Sequence, residues 1–410
     1  MKVLHTSDWH LGKKLYKKDR QEEHKYFLTW LSQKILDEQI NVLIIAGDIF
    51  DSPIPPTASL RLYFDFLSTV SKSEELKQIL IISGNHDSGN FLEAPTPFLS
   101  QNKIKIIGST QSSNMDDYIY DYTLRNNKKV RFTLLPFFKT YDMLKKDDVI
   151  NAETQIEDLI IENLKEWLDN ASKNHSGLKV LIGHHLFGSY SFAGSEQTVT
   201  LSGIDSLPVN LFKDWDILTL GHIHKKQVVS KERPFALYCG SPIAMRFSES
   251  TSKGVSLFTI DEEGSDYRYE EIKIPVFRNI VRIEVNSDNF AKKIDEALIN
   301  LNQHTDLAPY VEVTLNLESP DAHISQKIRD VAKEKGLDII NFITDFAFLE
   351  SEEEQVSVSD IYNLTPVQLF DQYLSGQEVE TSAKDELLTT FKQVQNINQE
   401  SLSSEKGLMQ

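Results

Sequence analysis

The chain of 410 residues has one cysteine, Cys239. That excludes a disulfide framework within the chain and fits a reducing compartment, so a cytoplasmic protein is expected. No stretch of about 18 apolar residues occurs, so a membrane-spanning helix is excluded. The first residues lack a basic-then-apolar leader and run straight into a strand-like Val3-Leu4, which predicts a chain that is not exported. Positive charge is in deficit: 43 Lys and Arg stand against 61 Asp and Glu, a formal net charge of −18. A general basic coat for nucleic acid is excluded. A local site is not, because screening over about 8–10 Å leaves only nearby charges decisive. The chain has no Gly-x-x-x-x-Gly-Lys-Ser/Thr, so it cannot supply a phosphate-loop ATP site of its own. It also has no internal repeat.

Against these absences stand five apolar runs that each end in metal-ligand residue types. Val3-Leu4 leads to Asp8-Trp9-His10. Val42 to Ala46 leads to Gly47-Asp48-Ile49-Phe50-Asp51. Ile79 to Ile82 leads to Gly84-Asn85-His86-Asp87. Val180 to Ile182 leads to Gly183-His184-His185, and Ile217 to Leu220 leads to Gly221-His222-Ile223-His224. A lone Gly-His-x-His is a weak signal, and each Gly-Asp or Gly-Asn by itself is an ordinary turn. Together they are specific, because loops at the carboxyl ends of strands in an open α/β sheet converge on one crevice. Histidines one residue apart on extended backbone point to opposite sides, so His222 and His224 can face two neighbouring ions.

The rest of the pattern predicts two or three domains at about 150 residues each. Residues 1–276 alternate strand and helix patterns. Phe27, Trp30, Leu31 and Ile35 mark one helix, Leu60, Tyr63, Phe64 and Leu67 another, and Ile160, Leu164 and Leu168 a third. Phe235 to Tyr238, Val255 to Ile260 and Tyr267 to Ile274 read as strands completing a second sheet. The expected fold is a two-sheet α/β sandwich with the ligands along one edge. Residues 277–349 read as a small β-α-β-α-β unit without ligand motifs. Residues 350–364 open with the acidic Glu350-Ser351-Glu352-Glu353-Glu354 and read as a linker. Residues 365–397 read as a helix pair starting at Thr365-Pro366 and near Ala383. Residues 398–410 are polar and expected to fray. Lys13, Lys14, Lys17, Lys18 and Arg20 follow the first motif, and Lys225 and Lys226 follow the last. Their position beside the ligand candidates favours phosphate contact.

The donor set is mixed oxygen and nitrogen without thiolate, which suits Mn, Fe or Zn in a catalytic rather than a structural site. Seven candidates exceed the need of one tetrahedral ion. A bridging carboxylate between two ions is the economical arrangement, with Asp48 the best placed. Two ions about 3.5–4 Å apart can activate water and clamp a phosphoryl group for in-line displacement. The expected chemistry is phosphoester hydrolysis without a covalent intermediate on the protein.

In this order, Asp-x-His, Gly-Asp-x-x-Asp, Gly-Asn-His-Asp, Gly-His and Gly-His-x-His resemble the calcineurin-like metallophosphoesterase superfamily. A longer resemblance is to the SbcD-like nuclease subunits of SbcCD complexes. It rests on Met1 to Gly12, Ala46 to Asp51, Ile82 to Asp87 and Tyr238-Cys239-Gly240-Ser241-Pro242, and covers the whole chain. This resemblance implies a capping, DNA-recognition domain over 277–349 and a helix pair over 365–397 that grips an SbcC-like coiled-coil ATPase. It implies one metal held by Asp8, His10, Asp48 and His224, and a second by Asp48, Asn85, His184 and His222, with Mn2+ the expected ion. His86 matches the catalytic histidine that contacts the scissile phosphate, and Asp51 the carboxylate that orients it. Asp87 reads either as a support behind the ligands or as structural, and His185 falls outside the metal set, with a supporting role behind a ligand left open. The implied function is a DNA nuclease, exonuclease on duplex and endonuclease on single strands, acting as a homodimer in repair and recombination, with no membrane partner. Leu60 to Leu67 and Phe91 to Leu99 are the candidate dimer face. The alternative is a small-substrate metallophosphodiesterase or nucleotidase on the same scaffold.

Overall fold

The runs that end in Asp, Asn or His form strands buried on both faces. Every residue of Val42–Ala46 and of Ile217–Leu220 is buried. Continuous Val, Ile and Leu runs suit parallel strands covered on either side. A computed structural model describes residues 1–145, 156–196, 206–299, 301, 305, 307–317, 321, 323–346, 367, 370, 374, 384 and 387–391. It divides into two compact units, Met1–Phe346 and Ala347–Gln410.

The first unit contains two six-stranded sheets. One runs in the spatial order Tyr267–Ile274, Lys253–Ile260, Lys2–Thr6, Val42–Ala46, Gln78–Ile82, Ile104–Ile107, its last four strands parallel. The other runs Gln227–Ser230, Phe235–Tyr238, Ile217–Leu220, Lys179–Gly183, Lys129–Leu135, Ile119–Thr123, its four central strands parallel. Strand alternation sorts the side chains. Leu43, Ile45, Ile79 and Ile81 pack with Phe27, Leu31, Phe66 and Leu67 of helices Gln21–Asp37 and Thr57–Val70. Val42, Ile44, Leu80 and Ile82 face Phe132, Leu134, Val180 and Ile182 across the sandwich. Ile160, Leu164 and Leu168 of helix Ile156–Ser172 cover Leu181, Leu218 and Leu220 on the far side. Each such buried side chain contributes about 1.5–3 kcal/mol of transfer free energy, which is what fixes the register of the strand ends.

The strand order departs from expectation at one place. Phe235–Tyr238 does join the second sheet, but Lys253–Ile260 crosses back and pairs antiparallel with Lys2–Thr6 in the first, carrying Tyr267–Ile274 with it. Its alternation serves both cores, with Val255 and Leu257 under the helices and Phe258 and Ile260 in the sandwich, so a periodicity alone does not tell which sheet it completes. The Lys-rich segment after the first motif is more than a loop, because it contains a short hairpin, Lys14–Leu15 with Lys18–Asp19.

The β-α-β-α-β unit forms a three-stranded parallel sheet, Arg278–Val285, Leu307–Leu317 and Asp338–Phe346, with helices Phe290–Ile299 and Ile324–Glu334. It has its own core around Ile283, Ile294, Val313 and Ile328. It docks on the hairpin: Tyr16 donates its hydroxyl to Glu312 at 2.9 Å, and Lys18 reaches Asp338 at 2.7 Å. Buried Arg278 pairs with Glu23 at 3.0 Å and lies 4.0 Å over the Tyr310 ring.

In the second unit, Val367, Phe370, Leu374, Lys384 and 387–391 are helical, and Phe370 and Phe391 stack with ring centroids 4.4 Å apart. The acidic linker at Glu350 to Glu354, the Thr365-Pro366 start and the tail from Asn398 lie outside the described residues. Among the described residues, no helix is long and apolar enough to cross a membrane.

Candidate metal centre

All five ligand-bearing loops leave parallel strands at the same edge of the sandwich, and main-chain bonds lock them to one another. Asp8 N–H donates to Gly47 O at 3.0 Å, His10 N–H to Asp48 O at 2.9 Å and Gly221 N–H to Gly183 O at 3.0 Å. To aim its side chains, the backbone adopts positive φ at Asp8 (52°), His10 (47°), Asp48 (50°) and His222 (99°). Such conformations cost roughly 1–3 kcal/mol each and persist at sites whose surroundings over-determine them. The loops approach so closely that side chains are excluded: a Cβ on Gly84 would lie 2.1 Å from Asp48 Oδ1, one on Gly221 would lie 2.0 Å from Ala46 O, and one on Gly47 would lie 2.4 Å from His184 Nδ1.

The structure gathers Asp8, His10, Asp48 and His224 into one buried group and Asp48, His184 and His222 into another. Asp48 belongs to both. Its Oδ2 lies 3.4 Å from His10 Nε2, and its Oδ1 lies 3.4 Å from His184 Nε2. His10 Nε2 and His224 Nε2 are 2.9 Å apart. Asn85 Oδ1 joins the second group, 3.2 Å from His184 Nε2 and 2.8 Å from His222 Nδ1. The fold thus brings all seven metal candidates together. His184 Nδ1–H donates to Ala46 O at 2.7 Å, which fixes Nε2 as its free nitrogen. Asp8 accepts from Ser7 Oγ at 2.6 Å and from His222 N–H at 2.8 Å.

His86 sits apart from the two ligand groups. Its backbone N–H donates to Asp48 Oδ1 at 2.9 Å, its ring is 4.7 Å from the His10 ring, and the residue is only half-buried. Its Nδ1 meets the main-chain oxygen of Asp51 at 3.0 Å. The Asp51 carboxylate points elsewhere, 3.4 Å from His10 Nδ1 and 2.9 Å from Lys13 Nζ. Asp51 thus touches His86 through its carbonyl, and its carboxylate supports His10. Asp87 caps the Asp48 turn, accepting from Gly84, Phe50 and Ile49 N–H groups at 2.9, 3.0 and 3.2 Å. His185 accepts from Phe138 N–H at 3.1 Å and stays with the fold rather than with the ligand groups.

Electrostatics suit cations. Burial drives the Asp8 carboxyl up to about 6. Burial also opposes ionisation of Asp48, but His184 and His10 outweigh it and hold Asp48 well below the usual carboxylate range. Burial lowers His222 to about 3 and pushes His224 well down, which keeps both rings neutral with lone pairs to offer. Against burial, Asp48 at His184, and Asp51 with Asp48 at His10, favour the protonated rings while no ion is bound, protons that an ion would replace. Imidazoles, an amide oxygen and two carboxylates without a thiolate are a donor set that fits a divalent, borderline-to-hard ion.

Two residues in no motif also reach the site. Ser195 Oγ lies 2.5 Å from His224 Nδ1 and donates in turn to Glu249. Of the basic residues, Lys13, Lys18, Arg20 and Lys226 pair with Asp51, Asp338, Glu23 and Glu271. Lys14, Lys17 and Lys225 remain exposed.

A family model for calcineurin-like phosphoesterases matches residues 1–226, more than half of the chain. The chain belongs to the calcineurin-like phosphoesterase family. Residues 276–378 of this phosphoesterase match a second model, described as the type 5 capsule protein repressor C-terminal domain. Among curated relatives, the D subunit of the nuclease SbcCD from Staphylococcus epidermidis is 32% identical over 265 residues, 64% of this chain and 66% of that one. The D subunit of the nuclease SbcCD from Escherichia coli K12 is 28% identical over 283 residues, 67% of this chain and 69% of that one. The phosphoesterase thus spans about two thirds of their length. A solved dimetal phosphatase from Danio rerio is 12% identical with a TM-score of 0.40, covering 67% of this chain and 98% of its own, a likeness too loose to bear on the assignment.

Proposed function

We propose that this phosphoesterase is a metal-dependent DNA nuclease, the D-type member of an SbcCD-like complex. The observation that carries the reading is Asp48: one buried carboxylate presents one oxygen to each of two separate ligand groups. Bound there, two divalent ions, Mn2+ in our proposal, would supply the charge that polarises a phosphoryl group and acidifies a water. The protein's share is positional and protonic. Asp8, His10 and His224 define one end of the crevice, and Asn85, His184 and His222 the other. His86 donates Nδ1–H to Asp51 O, which makes Nε2 the nitrogen that gives a proton to the departing oxygen. The Asp51 carboxylate holds His10 in register. Lys14, Lys17 and Lys225 are exposed, follow ligand-bearing segments in the chain and suit a phosphate backbone.

The partners belong to the same proposal. Phe64, Phe91 and Phe98 are 38%, 42% and 79% exposed, an apolar set suited to a homodimer contact. The helix pair over 365–397 is proposed to bind an SbcC-like ATPase, since the chain has no phosphate loop of its own. A small-substrate phosphodiesterase would need neither the docked β-α-β-α-β unit nor a helix pair.

The test is cleavage of linear duplex, hairpin and circular single-stranded DNA with Mn2+, alone and with the ATPase partner. Single-strand cleavage by the chain alone and ATP-dependent duplex digestion with the partner are expected. Hydrolysis of mononucleotides with no cleavage of any DNA would replace the proposal with the small-substrate reading.

A further inference from the structure

Two stretches that carry no ligand motif converge on one metal-ligand candidate. Segment 191–196 wraps His224 from outside. Glu196 accepts from the His224 backbone N–H at 2.9 Å and from the Ala193 and Gly194 N–H groups at 2.8 Å each. The next side chain back, Ser195, sets its Oγ 2.5 Å from His224 Nδ1. From the other side comes Glu249, whose side chain is 1% exposed. It accepts from Ser195 Oγ, from Met245 N–H at 3.1 Å and from Lys253 Nζ at 2.9 Å. Lys253 also donates to Ser241 Oγ at 2.9 Å and to His224 O at 3.3 Å.

The proton directions along this chain are forced. The Glu249 carboxyl already accepts from Lys253 Nζ and Met245 N–H, and it accepts from Ser195 Oγ–H as well. The serine oxygen then accepts, and His224 Nδ1 must carry the hydrogen that it receives. His224 Nε2, 2.9 Å from His10 Nε2 and inside the first ligand group, is left as the lone pair. We propose that Ser195, backed by Glu249, is a positioning residue that fixes the tautomer and the tilt of His224 for the metal site formed with Asp8, His10 and Asp48. The proposal rests on the two-metal reading of the centre. Outer partners of ligating histidines raise metal affinity by about 10- to 100-fold. Glu196 holds the backbone of the same residue, so loss of Ser195 loosens the ring without displacing the loop.

The full chain, stripped with a chelator, is titrated with MnCl2 by calorimetry. Wild type should bind two ions. Ser195→Ala should bind one of them about 10- to 100-fold more weakly and leave the other unchanged. Ser195→Thr, which keeps the hydroxyl, should restore it. In DNA cleavage, the Mn2+ concentration for half-maximal rate should rise for Ser195→Ala while the rate at saturating Mn2+ recovers. Glu249→Gln should weaken the same site, and it should add little to Ser195→Ala in the double variant. Wild-type affinity at both sites of Ser195→Ala, equal weakening of both, or failure of Thr to restore would overturn the proposal. Calorimetry needs no nucleic acid. A wild type that binds two Mn2+ but cuts no DNA, with one site weakened in Ser195→Ala, would therefore discard the nuclease reading and keep this one.

Discussion

His86→Gln separates binding from chemistry at this centre. His86, His10 and Asp51 lie close enough together to form a ligand group of their own, so the histidine has two possible employments. The structure favours the catalytic one. Asp48 receives the His86 backbone N–H at 2.9 Å, a bond that any side chain at this position keeps. The ring is half-buried, whereas His10, His184, His222 and His224 are at most 3% exposed. Glutamine can still donate to Asp51 O, but it cannot deliver a proton at neutral pH. General acid catalysis by a positioned side chain is worth about 10²–10⁴-fold, which is roughly 3–5 kcal/mol on the barrier. The variant should therefore lose that factor in kcat on a single-stranded oligonucleotide at saturating Mn2+. Its two Mn2+ affinities, read by calorimetry, should stay at the wild-type values. A variant that loses one Mn2+ site would refute the division of labour between Asn85 and His86.

Asp48→Asn should abolish hydrolysis and weaken both metal sites in a chain that still folds, because the bridging charge serves both groups; circular dichroism beside a cleavage assay checks it, and near-wild-type activity with Mn2+ would refute it. Without metal, Asp48 outweighs the effect of burial and raises His184 from 6.5 to about 9. The folded value exceeds the unfolded one, so this stabilisation is complete below about pH 6.5 and is lost as pH climbs through about 9. The chelated chain should therefore melt lower at the alkaline end of that window than at its acid end, and Mn2+ should narrow the gap; equal melting in chelator would contradict the buried ion pair. Burial pushes the Cys239 thiol up to about 12, and its Sγ donates to His5 O at 3.1 Å. A thiol reagent should leave the folded chain unlabelled and label one site in denaturant, since the thiolate is the reactive form; fast labelling of the native chain would contradict the burial.

The ligand loops were legible because they combine two independent signals. An apolar strand buried on both faces announces its own end, and the residues at that end are types that seldom cluster by chance. Asp8, Asp48, Asn85, His184 and His222 follow such strands directly, and the parallel pairing brings them to one edge. What was not legible depends on partners distant in sequence. Whether Lys253–Ile260 completes the first or the second sheet depends on Lys2–Thr6 offering it an edge, and its own alternation fits either. Asp51 carries its carboxylate to His10 and Lys13 because its carbonyl is the group facing His86, a choice of backbone orientation that residue type does not encode. Ser195 and Glu249 lie 29 and 25 residues from His224 in loops with ordinary composition, and only the folded chain sets Ser195 on its Nδ1 and Glu249 behind Ser195. The same holds for the basic clusters, four of whose seven residues the fold has already paired with acids.

Two metal ions sharing Asp48 underlie the proposed chemistry. The most direct measurement is anomalous scattering at the manganese edge from crystals of the full chain grown with Mn2+. Two peaks should appear about 3.5–4 Å apart, one beside Asp8, His10 and His224 and the other beside Asn85, His184 and His222, with the Asp48 carboxylate between them. A single peak, or two peaks of which only one touches Asp48, would contradict it.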